Sequence, residues 1–167
     1  MENTTTLATS IDWGLILSLL GAFLAVVLAG MGSSIGIRTA GQKAAGVLAE
    51  KPSMFGSLVT MVVLPGSQGI YGLLIAIMIL NKIGAMSGNI VDLTIGNGLA
   101  FLIAGFIIGI LGMVTAIYQA KVVASSIAGL AKDESIFGGA ITMSVLIETY
   151  AIFGLLISIF IVNAALA

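Results

Sequence analysis

The sequence has no cysteine and no histidine, and only 8% of its 167 residues are charged. These absences exclude disulfides, thiol nucleophiles, Cys- or His-based zinc sites and a Ser-His-Asp triad. A soluble domain carries roughly 25% charged residues, whereas this chain is 59% hydrophobic with a mean hydropathy of +1.23. The net charge of −1 gives no electrostatic basis for binding nucleic acid. The composition therefore predicts a membrane protein.

Four apolar runs each exceed the ~20 residues that cross a bilayer as a helix. They lie at 13–48, 54–81, 97–131 and 136–164. Turn signals around Pro52 and Asp133 divide the members of each pair, and a longer polar loop divides the pairs. The polar segment before Trp13 lacks the basic region of a cleavable signal peptide, so we interpret the first run as a permanent helix. We predict an all-α membrane protein with four transmembrane helices.

The two halves of the chain repeat at an offset of 82 residues, as from Gly30 to Gly112. The same offset relates Phe55-Gly56 to Phe137-Gly138, Thr60-Met61 to Thr142-Met143, and Gly72-Leu73-Leu74-Ile75 to Gly154-Leu155-Leu156-Ile157. Such a run of matches indicates a duplicated helical hairpin with both halves in the same orientation, unlike the inverted repeats of many transporters. We expect a first hairpin at 1–82, an extracellular-side loop at 83–96 and a second hairpin at 97–167.

The basic residues predict the orientation. Lys82 lies at the end of the long loop, and the other five lie at the end of the two short loops: Arg38, Lys43, Lys51, Lys121 and Lys132. The positive-inside rule places the short loops in the cytoplasm and both termini on the non-cytoplasmic side.

The first and third helices each carry small residues at four-residue spacing. These stripes consist of Gly32, Gly36, Ala40 and Ala44 in one helix, and of Gly112, Ala116, Ala120, Ala124 and Ala128 in the other. Small residues let helix backbones approach closely in a bilayer. The stripes are compatible with packing inside one four-helix bundle and equally with a tight ring whose inner circle these helices line.

A single carboxylate, Glu148, lies near the middle of the otherwise uncharged run from Ser135 to Ala167. An ionised carboxylate in hydrocarbon persists only when it is protonated, paired or bound to a cation. The alternative is a Glu that snorkels to the interface, which a mid-span position disfavours. We interpret Glu148 as a buried ion-binding carboxylate. At the offset of 82 its counterpart is Gly66, so only the second hairpin carries a carboxylate.

The second helix contains a proline in a polar segment. Pro65 cannot donate a backbone hydrogen bond, so with Gly66 beside it this segment can release a main-chain oxygen. The alternative is an ordinary proline kink with Gln and Tyr bonded between helices. Four residues of the segment share one helical face: Leu64, Ser67, Gln68 and Tyr71.

Polar residues on three helices reach the same depth. Gln119 is 13 residues before Lys132, Glu148 is 13 after Ser135, and Gln68 is 15 after Ser53. At 1.5 Å per residue each lies roughly 20 Å along its helix from the short loops. A carboxylate, a hydroxyl and amide oxygens suit a hard monovalent cation. A proton would need only Glu148, so the amides favour sodium.

The chain resembles the proteolipid rotor-ring subunit of vacuolar-type rotary ATPases, in the bacterial sodium-translocating branch. The resemblance covers nearly the whole chain. Its most specific motifs are the nine residues Leu64-Pro65-Gly66-Ser67-Gln68-Gly69-Ile70-Tyr71-Gly72, then Gln119-Ala120-Lys121-Val122, then Glu148-Thr149-Tyr150-Ala151. Proton-pumping relatives typically lack the glutamine of the first motif. Sodium-type relatives often have threonine where this chain has Ser67, which keeps the hydroxyl.

The resemblance implies a set of site residues. It implies a bound, transported Na⁺ held by the Leu64 carbonyl, the Ser67 hydroxyl, the side chains of Gln68 and Gln119, and Glu148. It also implies that Tyr71 hydrogen-bonds Glu148.

The resemblance further implies a homo-oligomeric ring in a bacterial plasma membrane. Its partners would be identical subunits, lipid, a stator subunit with a basic residue, and a central-stalk adaptor at the loops 50–53 and 132–135. The chain would not be an enzyme, because it has no phosphate-binding loop for ATP. The alternatives are the same rotor carrying protons, a small four-helix cation-coupled exporter, and a structural tetraspan protein that leaves Glu148 unexplained.

Overall fold

The computed structural model describes residues 12–166. Across this part of the chain, four helical spans are long and apolar enough to cross a membrane, which confirms the predicted fold class. The helices are α1 (Trp13–Glu50), α2 (Phe55–Val63), α3 (Ser67–Lys82), α4 (Ile95–Leu130) and α5 (Phe137–Ala164). The second span, Pro52–Lys82, contains both α2 and α3. Most of the polar amino-terminal segment, residues 1–11, lies outside the described residues.

Side-chain caps determine where two of the spans begin. The Asp12 carboxylate accepts a hydrogen bond from the Leu15 amide at 2.9 Å and caps α1. Thr94 and Asn97 form a reciprocal capping box at the start of α4. Such a box satisfies amide groups that have no acceptor within the helix. It extends α4 two residues towards the amino terminus beyond the start predicted from hydropathy.

The connection between the hairpins, residues 83–94, is folded against the end of α3. The Val91 amide donates to the Ile83 carbonyl, and the Asn89 amide donates to the Gly84 carbonyl, both at 3.2 Å. Gly84 has a φ of +76°, and a side chain there would collide with the Asn89 backbone. Only glycine adopts this conformation without strain, so Gly84 permits the tight return towards α4.

The closest helix packing joins α1 to α4 along the small-residue stripes. Gly32 and Gly36 are buried, and a Cβ added at Gly32 would overlap the Met113 backbone. A Cβ at Gly36 would lie 3.0 Å from the Ala116 carbonyl oxygen. The stripes therefore pack against each other inside one subunit, which agrees with the interpretation of packing within a four-helix bundle.

The interior consists of two apolar clusters with a polar layer between them. One cluster, towards the long connection, includes Ile75, Ile79, Phe101 and Ile108. The other, towards the short loops, includes Leu58, Met61, Val123, Ile127 and Leu130. The polar layer between the clusters joins α3, α4 and α5 through hydrogen bonds, and it is formed by Ser67, Gln68, Tyr71, Gln119 and Glu148.

Candidate functional site

The backbone of the second span changes geometry at Pro65. Residues Leu64–Gly66 form one 3₁₀ turn between α2 and α3, because proline supplies no amide hydrogen for a continuous α-helix. Pro65 is buried, and a Cβ added at Gly36 of α1 would collide with its ring. The interruption is therefore seated against α1 at a position where α1 has no side chain.

The carbonyl of Leu64 keeps hydrogen bonds in this turn. It accepts the Ser67 amide and, at 3.1 Å, the Ser67 hydroxyl. The expectation of a released main-chain oxygen therefore needs a correction, because a carbonyl has two lone pairs and both are used here. For Leu64 to bind a cation, the Ser67 hydroxyl must turn its hydrogen away. That hydroxyl has a second acceptor available, the Gln68 Oε1 atom at 3.3 Å.

Glu148 lies half-buried on α5 and contacts both neighbouring spans. The Tyr71 hydroxyl donates to Glu148 Oε1 at 2.6 Å, and Gln119 Nε2 lies 3.4 Å from Glu148 Oε2. Both hydrogen-bond partners are neutral, and α5 contains no lysine or arginine. The ionised carboxylate is therefore stabilised by donors but is not neutralised by them.

Two fully buried glutamines connect the spans behind Glu148. Gln68 Nε2 donates to Gln119 Oε1 at 2.7 Å, and Gln119 Nε2 also donates to the Ser144 carbonyl at 3.2 Å. Both side chains have no exposed surface. Gln68, Gln119 and Glu148, which counting along the helices placed at one depth, thus form one hydrogen-bonded group.

This group has more oxygen acceptors than donors. An amide oxygen accepts two hydrogen bonds and a carboxylate about four, whereas Gln68 Oε1 and Gln119 Oε1 accept one each and Glu148 accepts two. Lone pairs on all three side chains therefore remain for another partner. A hard cation satisfies such oxygens and also neutralises the carboxylate.

Sequence reasoning missed Ser33, which lies on α1 beside the interruption. Its hydroxyl accepts a hydrogen bond from the Gly69 amide at 2.8 Å and lies 3.4 Å from the Gly66 carbonyl oxygen. The signal that could have found it is depth: Ser33 lies 18 residues before Lys51 and shares the level of the polar layer. The expected site residues Leu64, Ser67 and Tyr71 all lie within this region, but their role as ion ligands or supports stays a prediction.

Comparison with known protein families identifies the chain's relatives. The family of the C subunit of ATP synthase matches residues 20–79 and again 102–161. The chain belongs to the ATP synthase C-subunit family. The first residues of the two matches are 82 apart, the offset at which the sequence repeats, so the duplicated hairpin is confirmed. The match also confirms the resemblance stated from the motifs.

Individual relatives are subunits of A-type and V-type enzymes. The chain is 43% identical over 145 residues to the K subunit of the A-type ATP synthase of Methanocaldococcus jannaschii, covering 87% of this chain but 61% of that relative. It is 34% identical over 149 residues to the K subunit of the V-type sodium ATPase of Enterococcus hirae, covering 89% of this chain and 92% of that one. It is 26% identical over 140 residues to the V-type proton ATPase 16 kDa proteolipid subunit of Chrysotila carterae, covering 84% of this chain and 85% of that one.

Membership of the C-subunit family establishes the general class of the chain. It is a multi-pass membrane protein and a proteolipid rotor subunit of a rotary ATPase, and it translocates ions without catalysing a reaction. Members of the family assemble as rings of identical subunits. An exporter and a structural tetraspan protein are therefore excluded.

Proposed function

We propose that this subunit binds Na⁺ and carries it across the membrane as a ring of identical copies rotates. The observation that carries this proposal is the excess of oxygen acceptors around one carboxylate with neutral partners. Glu148 supplies the charge, and four further oxygen donors complete the site: the Leu64 carbonyl, the Ser67 hydroxyl and the side chains of Gln68 and Gln119. Tyr71 orients the carboxylate.

The amides favour sodium over a proton. A proton carrier needs one titrating carboxylate and gains little from two buried glutamines, whose burial requires fully satisfied hydrogen bonds. Glutamine oxygens directed towards a carboxylate instead provide neutral ligands for a monovalent ion. The name of the Enterococcus hirae relative, a sodium ATPase subunit, is consistent with this choice.

Each subunit would carry one ion, because the first hairpin has no second site. The residues 82 positions before Glu148 and Gln119 are Gly66 and Ile37. The Ile37 side chain lies 3.2 Å from the position that a Cβ on Gly66 would take. The hairpin at 1–82 thus lacks both the carboxylate and the amide that the hairpin at 97–167 supplies, and apolar carbon occupies the equivalent space.

The working complex would place this ring in a bacterial plasma membrane with both termini on the non-cytoplasmic side. A stator subunit would present a basic residue to Glu148, which is half-buried and so approachable from the α5 surface. A central-stalk adaptor would bind the loops 50–53 and 132–135. Rotation would load each Glu148 from one half-channel and unload it at another.

The deciding experiment measures carbodiimide labelling of Glu148 in purified rings against sodium concentration at fixed pH. This reagent attacks the protonated carboxyl group, and bound Na⁺ keeps the group deprotonated. We expect sodium to slow labelling in a saturable manner, with potassium at the same ionic strength as the control. Labelling that depends on pH but not on sodium would overturn the sodium proposal and favour the proton rotor.

A further inference from the structure

Ser33 connects α1 to the interrupted span at the amino-terminal end of α3. It is buried, and its hydroxyl accepts the Gly69 amide at 2.8 Å. The Gly66 carbonyl oxygen, 3.4 Å away, is the acceptor nearest to the hydroxyl hydrogen. The two hydrogen-bonded glycines lie on either side of Ser67 and Gln68, so the hydroxyl contacts the backbone on both sides of these two residues.

This contact has the geometry of a helix cap supplied by another helix. α3 begins at Ser67, and the residue in the capping position, Gly66, has no side chain with which to accept an amide hydrogen. A capping hydroxyl normally accepts from the second or third residue of its helix. Gly69 is the third residue of α3, so Ser33 makes the bond that a serine at position 66 would otherwise make.

The second repeat shows that the contact accompanies the interruption. Thr115 is the residue 82 positions after Ser33, and its hydroxyl donates to the Leu111 carbonyl of its own helix at 2.6 Å. Bonding back to the preceding turn is common for hydroxyls within helices. α5 runs without a break from Phe137 to Ala164, so it offers no uncapped amide to Thr115.

We infer that Ser33 is a positioning residue for the ion site. By fixing the first turn of α3 to α1, it holds the Ser67 hydroxyl and the Gln68 amide towards Gln119 and Glu148. Without the cap, the segment samples geometries in which these ligands diverge, and the apparent affinity falls with the fraction of subunits that remain competent. This inference rests on the proposed function, since it concerns the same site.

The test compares sodium dissociation constants of assembled native, Ser33→Ala and Ser33→Thr rings, measured by sodium protection of Glu148 from carbodiimide. Losing a cap should raise the constant roughly 3- to 10-fold in Ser33→Ala. Ser33→Thr, which restores the hydroxyl, should return it towards the native value. The labelling rate in sodium-free buffer should not change, because Ser33 contacts neither Glu148 nor Tyr71; a general loss of structure would alter that rate as well.

Thr115→Ala is the matched control, since it removes a buried hydroxyl that bonds only within its own helix. An unchanged dissociation constant in Ser33→Ala, or an equal rise in Thr115→Ala, would overturn the inference. If Ser33→Ala rings do not assemble, Ser33→Cys replaces it: the thiol fills the same space but is a weak acceptor, so the constant should rise, and a native value would again overturn the inference. Native rings without sodium protection would instead overturn the proposed function.

Discussion

The hydroxyl of Tyr71 lies 2.6 Å from Glu148 Oε1 and joins a residue of the first hairpin to the single intramembrane carboxylate of the second. A second bond, between Gln68 and Gln119, joins the hairpins at the same level. The site therefore requires both halves of the duplicated chain. Neither repeat contains it alone, which explains why the two halves have diverged in sequence at this depth while they remain similar elsewhere.

Replacing Glu148 with glutamine should abolish ion transport while the ring still assembles. Glu148→Gln preserves size and hydrogen bonding but removes the charge that holds a cation. The measurement is ATP-driven sodium uptake into vesicles containing the reconstituted complex. Glu134→Gln, which removes an exposed carboxylate at the short-loop end, is the control and should transport normally. Uptake that persists in Glu148→Gln would show that another group carries the ion.

Removing either buried amide should weaken sodium binding. A hydrogen bond or ligand contact to a charged group contributes about 1.5–3 kcal/mol, so Gln68→Ala or Gln119→Ala should raise the sodium dissociation constant roughly 10- to 100-fold. Gln42→Ala, on an exposed face of α1, should leave it unchanged. Equal constants in the native and both site variants would remove the glutamines from the site.

Removing the Tyr71 hydroxyl should have a smaller effect. Tyr71→Phe leaves all of the proposed ligands in place and removes only the donor that orients the carboxylate, so the dissociation constant should rise roughly 3- to 10-fold. Tyr150→Phe is a suitable comparison, because Tyr150 is exposed and its ring contacts Phe153. A rise of the same size in both variants would indicate that the hydroxyl of Tyr71 has no special role.

Adding a methyl group between α1 and α4 should destabilise the subunit. A Cβ on Gly32 would overlap Met113 backbone atoms, so Gly32→Ala should lower stability by about 1–3 kcal/mol, the range for overpacked interiors. Gly46→Ala introduces the same change where nothing lies within 4 Å and should be neutral or slightly stabilising. Thermal disassembly of the purified rings distinguishes the two, and equal melting would show that the stripe does not form the close contact.

Hydropathy and repetition were sufficient to predict the four spans, because each apolar run has the length that a bilayer imposes. Counting residues from the short loops also brought Gln68, Gln119 and Glu148 to one level, since helical rise is constant. Two features depended on information that a single sequence does not contain. The small-residue stripes do not specify their partner, and only the fold shows that Gly32 packs on Met113.

The role of Ser33 was hidden for a related reason. A hydroxyl within a helix normally bonds to its own backbone, as Thr115 does, so the sequence contains no sign that Ser33 bonds elsewhere. Its partner becomes apparent only when the interrupted span lies beside α1. The hydrogen bonds at the Leu64 carbonyl were missed because a proline predicts a break but not whether the 3₁₀ turn satisfies the remaining acceptors.

The glycine at position 66 has a mechanical consequence for the proposed rotor. With one Glu148 for two hairpins, a ring of given circumference moves half as many ions per revolution as one in which every hairpin carried a carboxylate. The work available from a fixed number of ATP molecules per turn is then divided among fewer ions. Each ion can be driven against a steeper electrochemical gradient, so the missing side chain acts as a low gear that exchanges throughput for driving force.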